Sequence, residues 1–82
     1  MPRVVIASSD ALELTGGVAE FDVVADTVGR MVRELDGRYP GLGEEIERRM
    51  AVAINGEIHQ DAWMEVLPAD AEIVLIPKIG GG

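Results

Sequence analysis

One amphipathic helix is the clearest element that the pattern of apolar and polar residues predicts. Asp26 or Thr27 is suited to cap its first turn, and Asp36-Gly37 resembles a helix end shortly before Pro40. Four apolar residues recur between these limits at the i, i+3, i+4, i+7 spacing of a helix: Val28, Met31, Val32 and Leu35. This helix therefore has one apolar face that must be covered by another layer.

A shorter helical segment is predicted after the main helix, because Leu42, Ile46 and Met50 recur every four residues. Asn55-Gly56 is a strong hairpin signal, and it predicts a brief return strand at Glu57–His59. Strand-forming apolar runs predict strands at Arg3–Ala7, Ala51–Ile54 and Ile73–Ile76, and the alternation of apolar and polar residues predicts a fourth at Ala19–Ala25. The pattern thus alternates strands and helices within one small chain.

The predicted order of elements is β-β-α-(short α)-β-(short β)-β, with a loop over Ser8–Val18 between the first two strands. One main helix must cover one face of the sheet, because no other layer is available to bury it. The first and last strands are the most apolar, so we expect them side by side in the middle of a mixed sheet of four or five strands. The sequence therefore predicts an α+β protein of the β-grasp type, with a domain over residues 1–77 and a flexible glycine tail over residues 78–82.

Composition narrows the choice of partners. The 82 residues include 7 Lys+Arg and 15 Asp+Glu, which gives a net charge of −8. Such a charge disfavours nucleic acid and anionic membranes as partners and favours a basic protein surface. The absence of cysteine excludes disulfides, thiolate metal sites and cysteine nucleophiles. With no apolar run of about 20 residues and no signal-peptide pattern, we expect a cytoplasmic domain.

Few side chains in this sequence suggest catalysis or metal binding. His59 has no second histidine or cysteine to complete a metal site, so we interpret it as a solvated turn residue. Ser8 and Ser9 have no evident base. Trp63 and Met64 precede apolar residues and are interpreted as cover for the core. The sequence therefore predicts neither a catalytic residue nor a metal ligand.

The C-terminal end is the most informative segment. Three glycines, Gly80 to Gly82, follow the last predicted strand after only Pro77, Lys78 and Ile79. Six residues span roughly 20 Å when extended, and glycine can enter a channel too narrow for any side chain. A disordered end or a cloning remnant is the alternative interpretation. The close connection to a buried strand favours a carboxylate that is delivered into another protein's active site.

The whole chain resembles the ubiquitin-like sulfur carriers, which include the small subunit of molybdopterin synthase and the carrier of the thiamine pathway. The matching segments are Thr27-Val28-Gly29, Tyr39-Pro40-Gly41-Leu42, Val52–Glu57, Leu67–Ile73 and Ile76–Gly82. Two features depart from the family pattern. Ala69-Asp70-Ala71 stands where Asp-Gly-Asp is usual, and Gly80 adds a glycine before the terminal Gly-Gly; we expect the turn to survive.

The resemblance implies a cosubstrate and not an enzyme, with no bound cofactor. An E1-like adenylyltransferase would use ATP and Mg²⁺ to adenylate the carboxylate of Gly82, and a persulfide would convert it to a thiocarboxylate. A sulfur-acceptor enzyme, such as the large subunit of molybdopterin synthase, would receive the sulfur. The residues expected to insert into these partners are Pro77, Lys78, Ile79, Gly80, Gly81 and Gly82.

Partner docking is expected on the exposed side of the last strand, around Ile76 and Ile79, although Ile76 could equally be a core residue. Carriers for cysteine synthesis or, less closely, for thiamine synthesis are alternatives to the molybdopterin assignment. A ubiquitin-like modifier is a further alternative. Such a modifier could not form polymers through a lysine on its folded surface, because its only lysine, Lys78, lies in the predicted tail. A third alternative is a β-grasp adaptor that binds partners and takes part in no reaction; it would retain its function without Gly81-Gly82.

Overall fold

The computed structural model describes residues 1–59 and 63–78. Five strands and three helices lie within these ranges. In chain order they are β1 (Arg3–Ile6), α1 (Ser9–Leu14), β2 (Glu20–Asp22), α2 (Val28–Arg38), α3 (Leu42–Arg49), β3 (Met50–Ile54), β4 (Glu57–His59) and β5 (Glu72–Pro77). This order confirms the predicted succession of strands and helices apart from α1. The last four residues, Ile79 to Gly82, lie outside the described ranges.

The five strands form one mixed sheet in the order β2-β1-β5-β3-β4. The central pair, β1 and β5, is parallel, with Val4 opposite Ile73 and Ile6 opposite Leu75. All other pairs are antiparallel. The expectation that the first and last strands lie together in the middle is therefore confirmed, and the architecture is that of a β-grasp.

The main helix α2 begins as predicted and ends later than predicted. The side-chain oxygen of Thr27 accepts a hydrogen bond from the Arg30 amide at 3.2 Å, which caps the first turn. The predicted end at Asp36-Gly37 is wrong, because the helix continues to Arg38. The Asp36 carboxylate instead accepts hydrogen bonds from the amides of Gly41 and Gly43 at the start of α3, each at 3.0 Å. Tyr39 leaves the helix in an extended conformation, as a residue before proline tends to do.

The prediction of a loop over Ser8–Val18 is also wrong, because this segment contains α1. The side chain of Ser8 caps the helix by accepting from the Ala11 amide at 3.4 Å, and Ala11 is fully buried. The Thr15 hydroxyl then closes the following turn on the carbonyl of Val18 at 2.7 Å. Six residues are too few to show a helical repeat, so the cap was the only available signal.

The hairpin and the turn before β5 confirm two predictions from sequence. Asn55 and Gly56 have φ values of 48° and 84°, the left-handed pair of a type I′ turn. The turn before β5 closes through a hydrogen bond from the Ala71 amide to the Pro68 carbonyl at 3.0 Å. This turn therefore survives the replacement of the usual Asp-Gly-Asp. Asp70 does not need a left-handed conformation there.

The helices cover one face of the sheet, and their apolar residues join those of the strands in a single core. Its members with no measurable exposure are Val4, Ala11, Val23, Met31, Leu35, Leu42, Ile73 and Leu75. The four apolar residues that predicted α2 are all buried. This packing orders the central strand β5, which leads directly into the C-terminal segment.

Two interpretations of single residues need correction. Met64 is 89% exposed and Trp63 is 38% exposed, so Met64 does not cover the core. Their segment is held through its backbone, since the carbonyl oxygens of Trp63 and Glu65 accept from the amides of Gly29 and Val28 at the start of α2, each at 3.0 Å. His59 is not a turn residue: it lies in β4, and its side chain is partly buried.

Candidate functional site

The root of the predicted tail is the point where β5 meets the end of α3. Pro77 pairs with Met50, the first residue of β3. The Lys78 amide continues this pairing by donating to the carbonyl oxygen of Arg49 at 2.8 Å. Although Pro77 has no N–H to donate, the hydrogen bond formed by Lys78 shows that the ladder extends one residue further. Bonds to one neighbouring strand alternate along a strand, so the missing N–H of Pro77 points away from β3.

Lys78 is held at this point by its side chain as well. Its ammonium group donates a hydrogen bond to the carbonyl oxygen of Glu47, in the last turn of α3, at 3.1 Å. Of the residues predicted to insert into partners, the structure therefore places Pro77 and Lys78. Ile79 and Gly80 to Gly82, including the predicted sulfur-carrying residue Gly82, lie outside the described residues.

Ile76 lies on the face of the sheet opposite the helices. Side chains alternate along β5, so Ile73 and Leu75 are buried in the core while Val74 and Ile76 are half-buried on the other face. Ile76 is opposite Ala51 on β3. Neither residue belongs to the core cluster that contains the apolar faces of the helices. Ile76 is therefore not a core residue, and it lies two residues before the root of the tail.

Residues that pair on neighbouring strands lie on the same face of the sheet. The pairing therefore shows which residues of β1, β3 and β4 share the face of Ile76 on β5. We call this surface the open face and define it by six residues: Val5, Ala51, Ala53, Ile58, Val74 and Ile76. Ile58 is 53% exposed, and Val5 is half-buried. Ala51 and Ala53 are only 4% and 8% exposed, so the accessible part of this apolar strip is formed by the four larger side chains.

Charged residues border the open face on the side of β1 and β2. Glu20 and Asp22 stand opposite Val5 and Arg3, and Glu72 is opposite Arg3 on the other side. Arg3 forms an ion pair with Glu20. Three acidic residues and one arginine therefore lie on neighbouring strands at this border, which gives it a net negative charge suited to a basic partner surface.

The remaining surface of the described residues offers little for catalysis. The described ranges contain no group of three or more His, Asp or Glu side chains that could hold a metal ion. An open groove between α2 and α3 is lined mainly by charged residues and glycines, together with Val32 and Trp63. None of the described helices is long and apolar enough to cross a membrane.

A small sheet that packs on one main helix and has its last strand in the centre defines the class of ubiquitin-like β-grasp proteins. The ThiS family model matches residues 10–82, and the chain belongs to this family. The matched region includes the terminal glycines. No curated protein sequence matches the chain.

Solved structures show the same fold over nearly the whole chain. CysO of Mycobacterium tuberculosis, described as an antigen, has a TM-score of 0.82 at 17% identity, over 96% of this chain and 100% of that one. A chain of the BexX/CysO complex of Amycolatopsis orientalis has the same score and identity, with complete coverage of both chains. SAMP1 of Haloferax volcanii has a TM-score of 0.70 at 28% identity and covers 99% and 98% of the two chains.

The resemblance to ubiquitin-like sulfur carriers is therefore confirmed at the level of family and fold. Sequence reasoning singled out Ile76 on the open face but missed the other five residues. The run Ile73–Ile76 is apolar throughout, so it does not show which residues face the helices. It also missed the contacts of Lys78, because their acceptors are main-chain carbonyl groups.

Proposed function

We propose that this chain is a cytoplasmic sulfur carrier that bears the sulfur as a thiocarboxylate at Gly82. Membership of the ThiS family over residues 10–82 is the observation that carries the proposal. An E1-like adenylyltransferase supplies the catalytic groups, ATP and Mg²⁺, and the chain serves as its cosubstrate. A carrier needs no cysteine of its own, in agreement with the composition.

The chemistry requires an activated carboxylate, because a free carboxylate is a poor acyl donor. A carboxylate oxygen of Gly82 attacks the α-phosphorus of ATP, and pyrophosphate leaves. The terminal sulfur of a partner's persulfide then attacks the acyl carbon, and AMP leaves. The product is an acyl disulfide between Gly82 and the partner's cysteine. A second partner thiol attacks the sulfur of that cysteine, so that a disulfide forms on the partner and the thiocarboxylate is released.

Two features of the described residues suit this delivery. The open face offers an apolar docking surface, and Ile76 on this face lies two residues before Lys78, the root of the tail. The negative border favours a partner with basic residues beside its docking surface. We therefore propose that the activating and acceptor enzymes dock on the open face around Ile76 and Ile79 and receive the residues that follow Lys78, up to Gly82, in their active sites.

Sequence resemblance favours the large subunit of molybdopterin synthase as the acceptor. Enzymes of cysteine synthesis and thiamine synthesis are the alternatives. Incubation of the thiocarboxylated chain with each acceptor separates these possibilities, since only the physiological acceptor returns the chain to its carboxylate form with transfer of one sulfur atom.

Adenylation is tested by ATP–pyrophosphate exchange with an E1-like enzyme from the same organism. We expect the full chain to support exchange, and a variant that lacks Gly81 and Gly82 to lose it. A Glu13→Gln variant is the control, because Glu13 is exposed on α1 and separate from the open face. Undiminished exchange by the truncated chain would contradict the proposal and favour an adaptor role.

Protein modification is a second candidate function, favoured by the 28% identity to SAMP1, which a related solved structure names a small archaeal modifier protein. A modifier uses the same acyl-adenylate but transfers the Gly82 carboxyl group to a lysine of another protein. Detection of Gly82 in an isopeptide bond, without a thiocarboxylate form, would establish this function.

A further inference from the structure

The root of the tail is bound to the end of α3 by two hydrogen bonds from a single residue. α3 ends at Arg49 and β3 begins at the next residue, so no loop separates the helix end from the sheet. The Lys78 amide donates to the Arg49 carbonyl at 2.8 Å, and the Lys78 ammonium donates to the Glu47 carbonyl at 3.1 Å. We call these two contacts the tail clamp.

The end of α3 is a favourable place for this ammonium group. The last carbonyl groups of a helix lack partners within the helix, and the helix dipole favours a cation beside them. Two arginines of α3 itself are nearby, but both face carboxylates one turn earlier. Arg48 forms an ion pair with Glu44 at 2.9 Å, and Arg49 Nε lies 3.9 Å from the carboxylate of Glu45. The carbonyl of Glu47 is bound instead by the lysine of the C-terminal segment.

We propose that Lys78 is a positioning residue, and that the tail clamp fixes the point from which the last four residues leave the domain. This inference rests on the proposed function. Four residues span at most about 14 Å when extended, so the partner's reaction centre must lie within that distance of Lys78. A fixed origin also lowers the conformational entropy that the tail loses when it enters a partner.

The clamp itself is tested in the free protein, independently of any partner. We expect Lys78→Met, which removes the ammonium and keeps much of the side-chain length, to speed hydrogen exchange of the residue-78 amide by about two- to tenfold, as the loss of one hydrogen bond predicts. Lys78→Arg should restore protection. Arg48→Met is the matched control, since it removes one cation from the same helix end without touching the tail. Equal exchange rates for wild type and Lys78→Met would overturn the clamp.

The positioning role is tested by the dependence of ATP–pyrophosphate exchange on the concentration of the chain. We expect Lys78→Met to raise the apparent KM by about two- to tenfold with little change in kcat, and we expect Lys78→Arg and Arg48→Met to behave like wild type. An unchanged KM for Lys78→Met, with an active wild-type chain, would refute the positioning role. Failure of the wild-type chain to support exchange would instead refute the proposed function and, with it, this role for Lys78.

Discussion

The two faces of the central strand differ in what covers them. Leu75 is fully buried against the layer of helices, whereas its neighbour Ile76 is half-buried on the open face. Both are large aliphatic residues, and both lie close to the tail. The comparison shows that the same kind of side chain is buried in the core on one face and remains partly exposed on the other. The proposed docking surface therefore lies on the face of this strand opposite the core.

The largest expected effect comes from a change on the buried face. Leu75→Ala removes apolar contacts and leaves a cavity, so we expect it to lower the free energy of unfolding by about 2–5 kcal/mol. Urea denaturation at constant pH measures this value. Ile76→Ala is the matched control, and we expect a loss below about 1.5 kcal/mol because its side chain is only partly buried. Equal losses at the two positions would contradict the assignment of faces.

The next effect concerns binding to the activating enzyme. Ile76→Ala removes an aliphatic side chain from the centre of the proposed docking surface, and we expect affinity to fall about five- to thirtyfold, corresponding to about 1–2 kcal/mol. Isothermal titration calorimetry with the activating enzyme measures the change. Val24→Ala is the control, since Val24 is 74% exposed but lies outside the open face. Similar affinities for the two variants would argue that docking uses another surface.

Ile79→Asp extends the comparison into the tail. We expect weaker partner binding, because Ile79 is proposed to contact the partner beside Ile76. The melting temperature should remain nearly unchanged, since the residue follows the last strand of the domain. Parallel thermal unfolding and binding measurements check both parts. A large fall in melting temperature would show that Ile79 contributes to the folded domain instead.

The smallest effect is expected at the charged border. Glu72→Gln should slow association with the activating enzyme a few-fold at low ionic strength and have less effect at high salt, because complementary charges accelerate encounter and salt screens them. Stopped-flow measurements at two salt concentrations check this. Glu13→Gln changes the net charge equally and lies on the helical layer, so it should slow association less. Identical rates for the two variants would leave only net charge as the cause.

The parts of the fold that were predicted from sequence are those with a local signal. The repeat of Val28, Met31, Val32 and Leu35 predicted α2, and Asn55-Gly56 predicted the hairpin, in which both residues adopt positive φ. The short helix α1 was missed, since it has only six residues and depends on the cap by Ser8. Repeats and turn dipeptides can therefore be recognised in a sequence, whereas an element that depends on one hydrogen bond cannot.

The candidate site was predicted only in outline for a related reason. The terminal glycines are visible in the sequence, and the exposed side of the last strand was expected around Ile76. The extent of the open face depends on strand register, which pairs Val74 with Val5 and Ala53. The tail clamp depends on the carbonyl groups of Glu47 and Arg49, which would have the same chemistry with any side chain. Neither feature could be predicted without the tertiary structure.

Mass spectrometry of the C-terminal peptide tests the central claim most directly. The protein is incubated with ATP, a persulfide donor and the activating enzyme, and cleavage after Glu72 then releases Ile73–Gly82. This peptide contains none of the four methionines, whose oxidation would mimic the mass of a sulfur-for-oxygen exchange. We predict that exchange on this peptide, dependent on ATP. An unmodified peptide with every activating enzyme of the organism, in the presence of a working sulfur donor, would contradict the assignment as a sulfur carrier.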